Sequence, residues 1–150
     1  MASKVHQETI SIATRGPGRT GQGRHAFVDA TEAVSAVVAR SGVKQGLVNV
    51  FIQHTSASLV IQENADPRVL DDLDAWIRKI APESNVYSHD DEGADDMPGH
   101  LRAAVTKTHE MIPLKNGELA LGTWQALYVW EHRARPHQRK LVVTVIGDAA

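Results

Sequence analysis

A chain of 150 residues and 16.3 kDa is the size of one domain. Its 42% hydrophobic and 23% charged residues exclude a disordered or fibrous chain. The absence of cysteine excludes a disulfide scaffold, a cysteine-ligated zinc or iron–sulfur site and thiol catalysis. A formal charge of −2 gives no general attraction to nucleic acid or to anionic membranes. No apolar run reaches the ~18–20 residues of a membrane span, and the N-terminus lacks the apolar stretch of a signal peptide. The expectation is a cytoplasmic protein with no nucleic-acid and no membrane partner. Histidine stands out, with eight residues in a chain that holds only seven aromatics of the Phe, Trp and Tyr type.

Along the chain, 5–14 alternates in period two and predicts a polar edge strand. The glycine-rich segment 16–23 lacks the spacing of a phosphate-binding P-loop and reads as a connection. A helix is predicted over 29–40, with Ala33, Val34, Val37 and Val38 inward and Gly42 as its stop. Segments 45–53 and 58–63, rich in β-branched residues, predict strands on either side of His54-Thr55-Ser56-Ala57. Asp66-Pro67 opens a second helix, with Asp capping and Pro in the first turn. Its expected inward face is Val69, Leu70, Leu73, Trp76, Ile77 and Ile80, and Pro82 follows its end. An acidic loop covers 88–96, and Pro98 opens a short helix carrying His100. Next come a hairpin, 111–114 and 118–121 around Asn116-Gly117, and two strands, 124–131 and 140–146, expected to pair across the polar 133–139 connection. Six or seven strands with three helices define a single α+β domain over 1–150, built on mostly antiparallel β-sheet.

Four histidines occupy suggestive places. His54 ends a strand on the face of Val48, Val50 and Ile52, and His89 lies in the acidic loop. His100 falls in the first turn expected for its helix, where the dipole disfavours imidazolium and keeps a lone pair free. His132 shares the face of Trp124, Ala126, Tyr128 and Trp130, with Glu131 and Gln125 on the other. Three imidazoles around a divalent ion are a common catalytic zinc arrangement, although a hydrogen-bonded structural histidine is the commoner role for any one of them. His6, His25, His109 and His137 carry no such signal. The contiguous carboxylates of 90–96 suit a solvated charge run better than a Mg²⁺ or Ca²⁺ loop. Thr55, Ser56 and Ser58 with Asn64 offer hydroxyls and an amide to a phosphate, and a strand-to-strand turn explains them equally well. There is no G-x-S-x-G for serine catalysis. Trp124 reads as core, and Arg133, Arg135, Arg139 and Lys140 read as a basic turn without interleaved aromatics.

The blocks HTSASL (54–59), ENADP (63–67), DMPGH (96–100), Ile112-Pro113, GELALGTWQ (117–125) and Glu131-His132-Arg133 resemble the YjbQ-type family, also called the secondary thiamine-phosphate synthase family. They occur in the family's order across some two-thirds of the chain. The resemblance implies a compact α+β fold, a homotrimer and a histidine-lined, metal-capable site. It also implies a weak ability to join a pyrimidine diphosphate to a thiazole phosphate. Carried over by motif, the metal ligands are His54, His89 and His100, and the catalytic residues are His54, His100 and Glu131, with His132 beside them. Thr55, Ser56, Ser58, Asn64 and Gln125 are the expected contacts to a small phosphorylated substrate. The expected cofactor is a divalent metal, Zn²⁺ ahead of Mg²⁺. The family's glycine that closes the helix after His100 is replaced here by Lys107. Two other classes stay open: a metal-dependent hydrolase of a small phosphorylated or ester substrate, and a non-enzymatic trimer that binds metal or anion.

Overall fold

The computed structural model describes residues 3–18 and 21–150. The first two residues and the middle of the glycine-rich segment lie outside the described residues. The elements run β1 (Ser3–Ala13), β2 (Phe27–Asp29), α1 (Thr31–Ser41), β3 (Gln45–Ile52), β4 (Ala57–Glu63), α2 (Pro67–Ile80), α3 (Asp96–Ala104), β5 (His109–Lys115), β6 (Glu118–Leu119), β7 (Gln125–Glu131) and β8 (Gln138–Asp148). A five-stranded sheet has the order β1-β8-β3-β5-β6, and a three-stranded sheet the order β2-β7-β4; every pairing is antiparallel. The chain is therefore α+β, as its periodicities predict.

The two sheets bury their facing sides together. Val48, Val50, Ile52, Ile112, Leu114, Leu141, Val143 and Val145 come from the larger sheet, and Leu59, Leu127 and Val129 from the smaller, joined by the valines of α1. A second cluster fills the other side of the small sheet: Phe27, Ala126, Tyr128 and Trp130 pack on Leu70 and Ile77 of α2. The small sheet is thus covered on both faces, and its central strand β7 is buried from Ala126 to Glu131. This explains why 124–131 and 140–146 do not form the expected pair. A strand buried on both faces needs the middle of the small sheet, while β8 takes a central place in the large one, so the segment between them crosses from sheet to sheet.

Local signals explain most helix and turn boundaries. Asp66 caps α2 by accepting from the Arg68 amide, with Pro67 at the first position. Asn116 and Gly117 take φ values of 54° and 79° in the β5–β6 turn, the left-handed pair that a tight hairpin needs. The first helix starts at Thr31 rather than at 29, because Phe27–Asp29 pairs with β7 and Asp29 accepts from the Thr31 amide at 2.9 Å. Trp76, Ile80 and Trp124, expected inside, are 55%, 52% and 65% exposed. In α2 the inward arc is Leu70, Asp74 and Ile77 instead. The Asp74 carboxylate turns inward because it accepts from the Trp130 indole at 3.1 Å and from Arg78 at 2.7 Å. The third helix begins at Asp96, two residues before Pro98, which its first turn tolerates. His100 consequently sits two residues further in than expected, in the second turn, and Asp96 takes the place at the positive end of the dipole.

Among the described residues, none covers the outer face of the large sheet. Val5, Ile146, Leu47 and Pro113 lie opposite one another across four adjacent strands, forming a continuous apolar band beside Met111 and Phe51. Among the described residues, no helix is long and apolar enough to cross a membrane.

Candidate functional site

Three connections between the sheets meet at one end of the sandwich: the turn after β1, residues 53–56, and residues 132–137. Their backbones are tied together, because Thr14 and His137 bond in both directions and the His132 amide donates to the Ser56 carbonyl. At the centre Glu131, 1% exposed, faces Arg139, 4% exposed. The carboxylate accepts from Thr14 Oγ1 at 2.6 Å, Arg139 Nε at 2.8 Å and the Arg133 amide at 3.1 Å, and from Arg139 Nη2. Arg139 Nη2 also reaches Ser56 Oγ at 3.1 Å. With both oxygens occupied in this way, Glu131 holds Arg139 in place.

His54 lies half-buried beside this pair. The backbone amide of Lys140 donates to its Nε2 at 2.8 Å, and Arg139 Nη1 stands 3.4 Å from its Nδ1. Burial first, then the positive charge of Arg139, holds this imidazole below its ordinary pKa. His132 is buried, with Nε2 2.8 Å from Ser58 Oγ. Its Nδ1 has no hydrogen-bond partner among the described residues. Burial, followed by the charges of Arg102 and Arg139, pushes its pKa down to about 3.

A second group stands where α3 begins. His89, Asp96 and His100 each offer a ligand atom, and these atoms lie within 4.8 Å of one another. Asp96 Oδ2 is 2.7 Å from His89 Nε2 and 3.3 Å from His100 Nε2. Its other oxygen accepts from Arg133 Nη1 at 2.8 Å, while Arg133 Nε donates to Asp95 at 3.0 Å. Burial opposes ionisation of Asp96, but the hydrogen bond from His89 and the charges of Arg133 and His100 outweigh it and keep the carboxyl below its usual range. The same hydrogen bond raises the His89 pKa. Gly99 lets α3 approach this end closely, since a Cβ there would stand 3.3 Å from Arg133 Cδ and 3.4 Å from Ser56 Cβ. Two imidazole nitrogens and one carboxylate oxygen fit a divalent cation chemically, and such sets hold catalytic zinc with a coordination position to spare.

The residues expected from sequence therefore divide. His89 and His100 come together, and Asp96 joins them from the helix start. His54 is not in that group; its ring nitrogens face Lys140 and Arg139. Ser56 and Ser58 are buried in the Arg139 and His132 contacts, and Thr55 is exposed nearby. Asn64 and Gln125 lie at the far end of the β4–β7 ladder, about 20 Å away at ~3.3 Å per residue, where Asn64 donates to the Thr123 and Gln125 carbonyls. The supposed basic turn supplies two residues that sequence reasoning passed over, Arg133 and Arg139, each paired with acids. The acidic loop at 90–96 was the available signal for Arg133 alone, since Arg139 pairs with Glu131.

An α+β sandwich with a histidine–carboxylate cluster beside a buried Glu–Arg pair is the class that this fold and site define. Known proteins narrow it. The profile of the UPF0047 protein YjbQ-like family matches residues 19–148. A UPF0047 protein from Synechocystis sp. is 53% identical over 146 residues, covering 97% of this chain and 94% of its own length. The UPF0047 protein YjbQ of Escherichia coli O157:H7 is 33% identical, with 95% and 99% covered. A Clostridium acetobutylicum protein of the YjbQ/UPF0047 family, 33% identical, superposes with a TM-score of 0.79 over 92% of this chain and 98% of its own. A YbjQ-like protein from Sulfolobus solfataricus P2, 24% identical, shares the fold with a TM-score of 0.84 over 98% of this chain and 100% of its own. The chain belongs to the YjbQ-like UPF0047 family.

Proposed function

We propose that this protein is a metal-dependent transferase of the thiamine-phosphate synthase type, which holds one divalent cation, Zn²⁺ ahead of Mg²⁺, at His89, Asp96 and His100. The observation that carries the reading is the convergence of those three ligand atoms within 4.8 Å. A divalent cation there supplies stabilisation for negative charge on a departing pyrophosphate. The chain's own contribution is positional. Arg133 fixes Asp96 through the oxygen that faces away from the imidazoles, and α3 sets Asp96 and His100 one turn apart. The choice of thiamine phosphate within the transferase class comes from the family resemblance.

The first test is zinc binding to chelator-stripped protein. His89→Ala, His100→Ala and Asp96→Asn should each weaken it about tenfold or more, the ~1.4 kcal/mol or more expected when one ligand is lost. His54→Ala should leave it unchanged. The second is formation of thiamine phosphate from the two precursor halves, with and without metal. Turnover of a phosphate-ester panel without joining would move the protein to the hydrolases. Metal binding without any turnover would make it a binding protein.

The protein is further proposed to work as a homotrimer. Support comes from the apolar band on the large sheet, where Leu47, Met111 and Ile146 are 45%, 55% and 50% exposed. Light scattering at the mass of a single 16.3 kDa chain would reject it.

A further inference from the structure

His54 has more donors aimed at it than a neutral imidazole can satisfy. The Lys140 amide can only donate, so Nε2, 2.8 Å away, must carry the lone pair. A neutral ring then bears its proton on Nδ1. Arg139 Nη1, 3.4 Å from that nitrogen, can only donate as well. The contact is therefore donor against donor rather than a hydrogen bond. The rest of the guanidinium is committed elsewhere: Nε and Nη2 go to Glu131, and Nη2 also to Ser56. Among the described residues, Nη1 has no partner at hydrogen-bonding distance other than His54. Two N–H groups, one on an almost fully buried arginine, thus converge with no acceptor between them, an arrangement that costs free energy unless an acceptor arrives. Glu131 neutralises Arg139 from the opposite edge only, and the cationic side chains of Arg139 and Lys140 both make the His54 surroundings more positive.

We propose that His54 Nδ1–H and Arg139 Nη1–H form a two-donor subsite for an anionic oxygen of a small ligand, a phosphoryl or carboxylate oxygen, separate from the His89–Asp96–His100 cluster. An oxygen accepting from both donors turns their mutual exclusion into two charge-supported hydrogen bonds. The subsite rests on the transferase reading only for the expectation of a phosphorylated substrate. Its geometry needs no metal. It also gives His54 a task that the cation cluster does not.

The test uses chelator-treated protein, so that it can fail independently of zinc binding, which is titrated in parallel. Long-range nitrogen–proton spectra of the histidine rings should show His54 with its proton on Nδ1. Inorganic phosphate should move the His54 ring signals with one-to-one stoichiometry, and phosphorus line broadening should report the same affinity. His54→Ala should weaken phosphate binding about tenfold or more, the scale of one hydrogen bond to a charged group. Arg139→Lys, which keeps the charge and loses the fork, should do likewise, with circular dichroism confirming the fold. Acetate displacing phosphate would place a carboxylate in the subsite, and failure to displace it would restrict the subsite to phosphoryl oxygens. A proton on Nε2, no response of His54 to millimolar phosphate, or unchanged phosphate binding in His54→Ala would each overturn the proposal.

Discussion

Replacing Glu131 by Gln removes one charge from the least exposed carboxylate among the described residues and leaves its shape almost unchanged. The effect should nevertheless be large. Oε1 accepts from Thr14 and Arg139, and Oε2 from Arg139 and the Arg133 amide, so either orientation of the new amide points its NH₂ at an Arg139 N–H that can only donate. Arg139, whose side chain is 5% exposed, would also keep its charge without a counter-ion. Removing one partner of a buried ion pair costs about 3–5 kcal/mol. Against a total stability of about 5–15 kcal/mol this is roughly a fifth or more. At ~2–4 °C per kcal/mol, the melting temperature should fall by roughly 6–20 °C. Urea denaturation of both proteins at one fixed protein concentration would measure it, since any self-association makes the midpoint depend on concentration. The double variant Glu131→Leu/Arg139→Met removes both charges and should recover much of the loss. A cost below about 1 kcal/mol for Glu131→Gln would refute the reasoning, because Arg139 would then have its charge solvated or balanced by another group.

Three further outcomes are expected. His132 stays neutral in the folded protein down to about pH 3, whereas the unfolded chain takes up its proton near 6.5. Its contribution is therefore complete above about pH 6.5 and declines by ~1.4 kcal/mol per pH unit as the pH falls towards 3. Denaturation midpoints across this range should show a shallower slope in His132→Phe, and an unchanged slope would count against the assignment. Zinc affinity should weaken with acidification from above pH 6.5, because Asp96 raises the proton affinity of His89 and the proton competes with the metal; a titration flat between pH 8 and about pH 6 would contradict this. Leu47→Lys, placing a charge in the middle of the apolar band, should reduce the light-scattering mass to that of the 16.3 kDa chain without altering circular dichroism.

The features that come from local chemistry were legible in the sequence. Asp66-Pro67 and Asn116-Gly117 determine a helix start and a turn within two residues, and the alternation of 5–14 marks an edge strand. Partnership between strands was not legible. The patterns of β7 and β8 suit a hairpin as well as a crossing, and only packing on α2 decides that β7 must be covered on both sides. Trp76 misled for a related reason, since the inward place on α2 goes to Asp74, an acid drawn in by the distant Trp130 indole. At the candidate site His100 was visible in the DMPGH block (96–100), and His89 as an imidazole within the acidic loop. Arg133 and Arg139 looked like solvent-facing charge, because the acids that hold Arg133 lie 37 and 38 residues away and the short path from Arg139 to Glu131 runs across a change of sheet. Asn64 and Gln125 neighbour each other in the fold, but at the wrong end of it.

The distribution of tryptophan has an optical consequence. Trp76 and Trp124 are 55% and 65% exposed, whereas Trp130 is 2% exposed and lies stacked on Phe27 at 4.7 Å between ring centroids. An ionic quencher such as iodide should extinguish the first two and spare the third. The emission that survives then belongs to an indole whose ring centroid is 5.1 Å from that of His132 and whose N–H is bonded to Asp74. The native chain, without any label, thereby carries a fluorophore inside the wall that supports Ser58 and the crossing segments, where a protonated His132 would dim it.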